Sequence, residues 1–160
     1  MDVLWSPWRY DYITKASASS AKCAFCGILQ NSATDEDNFI LHRAEFNFVV
    51  LNIYPYTSGH LMVVPFDHTA SPVAASKAST DEMMDLVRRS AEAIAQTYDP
   101  DGMNIGMNLG KAAGAGVAEH YHMHVLPRWT GDVNFMTAIG QTRNLPESLP
   151  DTYRRLAPLF

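Results

Sequence analysis

Three histidines stand at alternate positions in the stretch AEHYHMHVLPRW, as His120, His122 and His124. The chain has six histidines in all, so half of its imidazoles fall in one short run. Tyr121 and Met123 lie between them and Val125 and Leu126 follow, a β-forming composition with a period of two. In an extended strand alternate side chains share a face, with same-face neighbours roughly 6.5 Å apart. A helix would scatter them around its circumference. The spacing therefore predicts a strand with a row of imidazoles on one face, and Tyr121, Met123 and Val125 turned into a core on the other. Pro127 has no amide hydrogen and is expected to end the strand's ladder. Packing alone explains three imidazoles on one face poorly. Three chemistries use such a cluster: a catalytic zinc on three protein ligands, a nucleophilic imidazole oriented by its neighbours, and a structural zinc on four ligands.

The 160 residues suffice for one domain with its own core, which we take as 1–160. Within it, 1–22 reads as an N-terminal arm and link. LWSPWRYDYI is too apolar for a free tail and is expected to lie across the body or a partner subunit, followed by a flexible Ser/Ala-rich stretch, Ala16–Ala21. Phe46–Pro55 and His60–Phe66 are rich in β-branched and aromatic residues around the turn-like YPYTSG, which predicts an antiparallel hairpin. STDEMMDLVRRSAEAIAQTY predicts a helix, with Ser79 and Glu82 as a capping box and Met83, Val87, Ala91, Ile94 and Tyr98 as the apolar stripe. DPDG stops it. Met103–Gly110 reads as a third strand, KAAGAGVAE as a glycine-bearing loop suited to a phosphate, and Pro150–Leu156 as a short helix. The order β-β-α-β-β predicts an α+β domain, an antiparallel sheet with helices on one side.

Twelve basic against seventeen acidic residues leave a net charge of −5. That balance argues against a general nucleic-acid or membrane-surface partner. No apolar run approaches the ~20 residues of a membrane helix, and no basic-then-apolar leader opens the chain. A cytoplasmic protein is the expectation. The two cysteines, Cys23 and Cys26, are spaced C-x-x-C in KCAFCGIL. They could form half of a metal site or a redox pair. A redox pair belongs at a strand-to-helix junction, and no strand leads into this one, which favours the metal.

Taken in order, CAFC, LNIYPYTSGHLMVVP, MNLG and AEHYHMHVLPRWTGDVNF resemble the histidine triad (HIT) family over most of the chain. LWSPWR and NIYPYTSGHLMVVP resemble more narrowly its microbial branch of diadenosine tetraphosphate phosphorylases and hydrolases. The resemblance implies a sheet of about five antiparallel strands with one long helix and a short C-terminal helix. It implies cleavage at the α-phosphate of a dinucleoside polyphosphate, by hydrolysis or phosphorolysis. In that scheme His122 takes the nucleotidyl group covalently, His124 contacts the α-phosphate or bridging oxygen, and His60 stands close by. Asn52 would bind ribose, Val50 and Met62 would flank the base, and Asn108 with Gly114, Gly116 and Val117 would hold phosphate. Zinc-bearing members imply a structural zinc on Cys23, Cys26, His68 and His120. The family also implies a homodimer that uses the helix from Thr80 and the strand from Met103. The chain departs at Ala115 and Gly116, where close relatives carry serine, threonine or glutamine, which shifts the expectation from phosphorolysis toward hydrolysis. Two other activities remain: hydrolysis of an adenosine 5′-phosphoramidate, and a non-catalytic nucleotide- or zinc-binding scaffold. A metal-dependent hydrolase with zinc held by the triad itself is a further alternative.

Overall fold

The computed structural model describes residues 23–134, 137, 139 and 145–160. The expected arm and link therefore lie outside the described residues. The elements run α1 (Ala24–Gln30), β1 (Ile40–Arg43), β2 (Asn47–Leu51), β3 (Leu61–Pro65), α2 (Lys77–Tyr98), β4 (Gly102–Gly106), β5 (Met123–Arg128) and α3 (Leu149–Leu156), with single 3-10 turns at Lys111–Ala113 and Ala157–Leu159. The five strands form one antiparallel sheet in the order β1-β2-β3-β5-β4. This is the expected α+β architecture, with the long helix and the short C-terminal one in place, but the helices are not all on one side, since α1 packs on the face opposite α2 and α3.

The period of two sorts each strand's side chains between two layers. Val49, Leu51, Leu61, Val63, Tyr121, Met123 and Val125 pack with Met83, Leu86, Val87 and Ile94 of α2 and Leu156 of α3. On the other face Phe48, Val50, Met62 and Val64 pack with Ile40 and with Phe25 of α1. Strands β2 and β3 are buried at every position, which is why FVVL after Asn47, and LMVVP, are continuous apolar runs rather than alternating ones. Each such side chain, fully buried, contributes roughly 1.5–3 kcal/mol.

Several expectations need correction. The histidine strand starts only at Met123, so His120 and His122 precede it in irregular backbone and only His124 is a strand residue. Pro127 does not end the strand, since it pairs in register with Met103 of β4. Its carbonyl accepts from Thr57 Oγ1 at 3.1 Å, on the side where β3 has already run out. The missing amide hydrogen thus falls where no ladder partner exists. The third strand ends at Gly106, short of Gly110, and a short edge strand, β1, went unnoticed because ILHR is too brief to show a period.

The capping box is also displaced. Ser76 caps α2, its hydroxyl accepting from the Ser79 amide at 3.1 Å. Glu82 instead reaches out to the β1–β2 turn. Its carboxylate accepts from the Glu45 and Phe46 amides, both at 2.9 Å, and from Asn47 Nδ2 at 2.8 Å. Burial pushes the Glu82 carboxyl up, but these hydrogen bonds to its charged form outweigh burial and leave it below its ordinary value. A lowered carboxylate contributes stability above its unfolded value that disappears as pH falls through the folded one. Glu82→Gln is expected to lower stability at neutral pH by about 1–3 kcal/mol. Denaturant titration should show that deficit shrinking as pH drops below 4.5.

Candidate active site and metal centre

Strand β3 pairs with β5 over only three residues, Leu61–Val125, Met62–His124 and Val63–Met123. That register brings His60, just before β3, beside His124: His60 Nε2 and His124 Nδ1 are 3.0 Å apart. Their protons follow from the backbone. The Tyr56 amide donates to His60 Nδ1 at 3.1 Å, so the neutral His60 ring carries its hydrogen on Nε2 and donates it to His124 Nδ1. The neutral His124 ring is then protonated on Nε2. Burial, with a smaller contribution from His122, pushes His124 down to about 4, so it is neutral at physiological pH.

The turn that delivers His60 is tightly specified. Gly59 has φ +78, and a Cβ there would lie 2.7 Å from a ring carbon of Tyr98 at the end of α2. The Tyr98 hydroxyl donates to Glu147 at 2.5 Å and the Arg155 guanidinium lies 4.5 Å from its ring centre. Glu147, just before α3, and Arg155 of α3 thus hold Tyr98 beneath the turn.

His122 is buried, and its Nδ1–H donates to the carbonyl of His120 at 3.0 Å. Its lone pair is therefore on Nε2, the arrangement an attacking imidazole needs. The His122 and His124 rings are 4.8 Å apart, edge to face. Burial lowers the pKa of His122 against the opposing pull of its backbone hydrogen bond.

His120 belongs to a different group. Its Nε2–H donates to the Pro65 carbonyl at 2.8 Å, which leaves Nδ1 as the lone-pair atom. That atom lies 3.3 Å from Cys23 Sγ and 3.7 Å from Cys26 Sγ, and His68 Nδ1 is 3.3 Å from Cys26 Sγ. All four ligand atoms fall within 4.8 Å of one another. A tetrahedral ion with bonds of ~2.0–2.3 Å has ligand–ligand edges of roughly 3.5 Å. The donor set of two thiolates and two imidazoles fits zinc. The Pro65 carbonyl also supplies the outer hydrogen bond that holds a ligating imidazole in the right tautomer.

The expected nucleotide residues are placed as follows. Val50 and Met62 are paired across β2 and β3 and buried on the face that carries His124. Asn52 Oδ1 accepts from the Tyr54 amide at 2.9 Å, and its Nδ2 lies 3.4 Å from His60 Nδ1. In the glycine loop, Gly110 and Gly114 both take positive φ. The Gly114 and Ala115 amides donate to the Lys111 and Gly110 carbonyls. Those of Gly116 and Val117 make no hydrogen bond among the described residues. A cavity of about 1110 Å³ borders His124 and Asn108 and extends past Tyr56, Trp129 and Arg128 to Glu147 and Arg155. Of the site residues expected from sequence, only His124 and Asn108 line it.

Two contributors were missed in the sequence. Tyr56 sets the His60 tautomer through its amide, which no side-chain motif can reveal. Phe25 packs its ring 4.9 Å from that of His122; its position inside C-x-x-C was the available signal.

The HIT domain family model matches residues 33–131, a span that holds His60, His68, His120, His122 and His124 but neither cysteine. The AP-4-A phosphorylase of Mycobacterium tuberculosis is 39% identical over 161 residues, covering 96% of this chain and 82% of that protein. The crystal structure of a Zn-bound histidine triad family protein from Mycobacterium smegmatis superposes with a TM-score of 0.69 at 30% identity, over 86% of this chain and 92% of that one. A HIT family member from Bacillus subtilis gives 0.62 at 29% identity, over 69% and 76%. With the family's match spanning more than half of the sequence, this chain belongs to the HIT domain family.

Proposed function

We propose that the protein cleaves dinucleoside polyphosphates of the diadenosine tetraphosphate kind at the α-phosphate, through a nucleotidyl group carried on His122. The observation that carries this reading is the hydrogen bond from His122 Nδ1 to the His120 carbonyl. It leaves Nε2 as the nucleophile in a ring that need not lose a proton first. In the first step Nε2 bonds to the α-phosphorus and the bond to the bridging oxygen breaks. His124, protonated on Nε2 and backed by His60, donates to the phosphoryl or leaving oxygen. The Gly116 and Val117 amides and Asn108 would stabilise the developing charge, with Asn52, Val50 and Met62 at the nucleoside. Water or inorganic phosphate then takes the nucleotidyl group from His122, giving AMP or ADP. The similarity to the mycobacterial AP-4-A phosphorylase supports the substrate class. So does the cavity beyond His124, which has room for a second nucleotide that a phosphoramidate would leave unused.

His122→Ala is expected to reduce turnover by about 10⁴-fold or more, and His124→Ala by about 10²-fold, with nucleotide binding retained in both. Turnover of diadenosine tetraphosphate, with and without inorganic phosphate, checks this and separates ADP from AMP as the product. A His122→Ala enzyme of near wild-type rate rejects the mechanism.

Cys23, Cys26, His68 and His120 would hold a structural zinc, a reading supported by their converging ligand atoms and by the Zn-bound relative. Zinc at 100 times its Kd adds about 2.7 kcal/mol, so a chelator should lower Tm by about 5–10 °C. Elemental analysis finding no zinc in the purified protein would count against the site.

Two copies would pair along β4. It is an edge strand with four of its five residues exposed, and Ile105 on it and Met84 on α2 are each 49% exposed. An unpaired edge with an apolar side chain is what a second sheet covers. Light scattering at micromolar concentration is expected to give twice the chain mass.

A further inference from the structure

The helix that carries the two cysteines is also the one that touches the nucleophile. Helix α1 has seven residues and no side-chain cap, and Phe25 is its one buried residue. Helices this short are unstable by themselves. Cys23 and Cys26 flank Phe25 in sequence, and their sulfurs lie against His120 Nδ1. The Phe25 ring meets two triad histidines at once. It is 5.3 Å from the His120 ring, edge-on, and 4.9 Å from the His122 ring at 56°. His120 closes the loop from the other side, because its side chain joins the Cys23, Cys26 and His68 cluster that could hold a metal while its carbonyl holds His122 Nδ1–H.

From this we infer that the metal centre positions the nucleophile, and that Phe25 is the positioning residue through which it acts. The inference rests on the reading of His122 as the attacking group. A metal bound by both cysteines pins the first turn of α1, and the pinned turn presses Phe25 against the His122 ring. That contact and the His120 carbonyl together restrict rotation of the ring about its Cβ–Cγ bond. The neutral ring then keeps its hydrogen on Nδ1 and its lone pair on Nε2. If either hold is removed, the ring can turn from the His120 carbonyl and exchange tautomers, so part of the population has no lone pair at the attacking position. The metal takes no part in the chemistry and touches neither His122 nor substrate. Phe25 lies before residue 33, where the family match begins.

The test uses the zinc-loaded protein with Phe25→Ala and Phe25→Leu, the second retaining most of the buried apolar volume. Zinc content, AMP affinity, kcat, KM and the ¹H–¹⁵N side-chain spectrum of His122 are measured for each. Zinc and AMP affinity should persist. The value of kcat should fall by about ten-fold or more, with KM changed by less than about two-fold, since misplacing a reacting group costs rate rather than binding. The His122 spectrum should change from one Nδ1–H tautomer to a mixture, in the variants and in wild-type protein stripped of metal below its Tm. The spectra need no substrate, so they judge positioning even if diadenosine tetraphosphate is not turned over. A zinc-loaded Phe25→Leu protein that keeps the single tautomer, or a kcat within about two-fold of wild type, overturns the inference. Retention of the single tautomer in folded, metal-free protein overturns it as well. Should Phe25→Ala or metal removal unfold the chain, Phe25→Leu decides alone.

Discussion

Three residue pairs between β3 and β5 hold the working parts of this protein together. The pairing of Leu61, Met62 and Val63 with Val125, His124 and Met123 is short, yet together the three pairs act on both faces of the sheet. Toward α2 it stacks Leu61, Val63, Met123 and Val125 into the larger core cluster. Toward α1 it sets Met62 beside His124 and brings His60 within hydrogen-bond distance of it. A slip of one residue would exchange those faces, sending the histidines into the apolar layer. The cost of burying imidazoles against Met83, Val87 and Ile94 therefore protects the register that the active site needs.

Backbone groups, more than side chains, decide the chemistry of the four central histidines. The Tyr56 amide orients His60, the His120 carbonyl orients His122, and the Pro65 carbonyl orients His120. Only His124 takes its tautomer from another side chain, His60. An imidazole is at once donor and acceptor, so one fixed partner determines what its other nitrogen can do. Here the same ring type presents its lone pair on Nε2 in His122 and on Nδ1 in His60 and His120, according to which backbone group it meets. Of these partners only the Pro65 carbonyl belongs to a strand; the Tyr56 amide and the His120 carbonyl lie in the irregular backbone just before β3 and β5.

The surroundings of the site are braced from the C-terminus. Glu147 accepts from Tyr98, Thr152 and Arg155, and burial opposed by these hydrogen bonds leaves its carboxyl below the ordinary value. Tyr98 in turn underlies Gly59 and the turn that carries His60. On the opposite wall Arg128 is held by Asp132 and Asn104, so the cation bordering the cavity is already compensated.

Much of this was legible in the residues. Alternation in HYHMHV separates Tyr121, Met123 and Val125 from the histidines, and those three are in the core. Of the expected stripe, Met83, Val87 and Ile94 mark the buried face of the long helix, while Ala91 and Tyr98 are half-buried, and the resemblance of CAFC, His68 and the first triad histidine to a family implied a ligand set whose atoms do converge. These features are local or motif-borne, and local periodicity follows from backbone geometry alone. Tertiary structure decided the rest. Pro127 continues its strand because β3 ends before it, and Glu82 abandons the expected cap because the β1–β2 turn offers it three donors. His120 leaves the row of three for the cysteines, some 97 residues away in sequence, and Phe25 comes to rest on His122. No spacing rule contains these outcomes, because each depends on where a distant element stops and which unpaired polar group or ring face it leaves exposed.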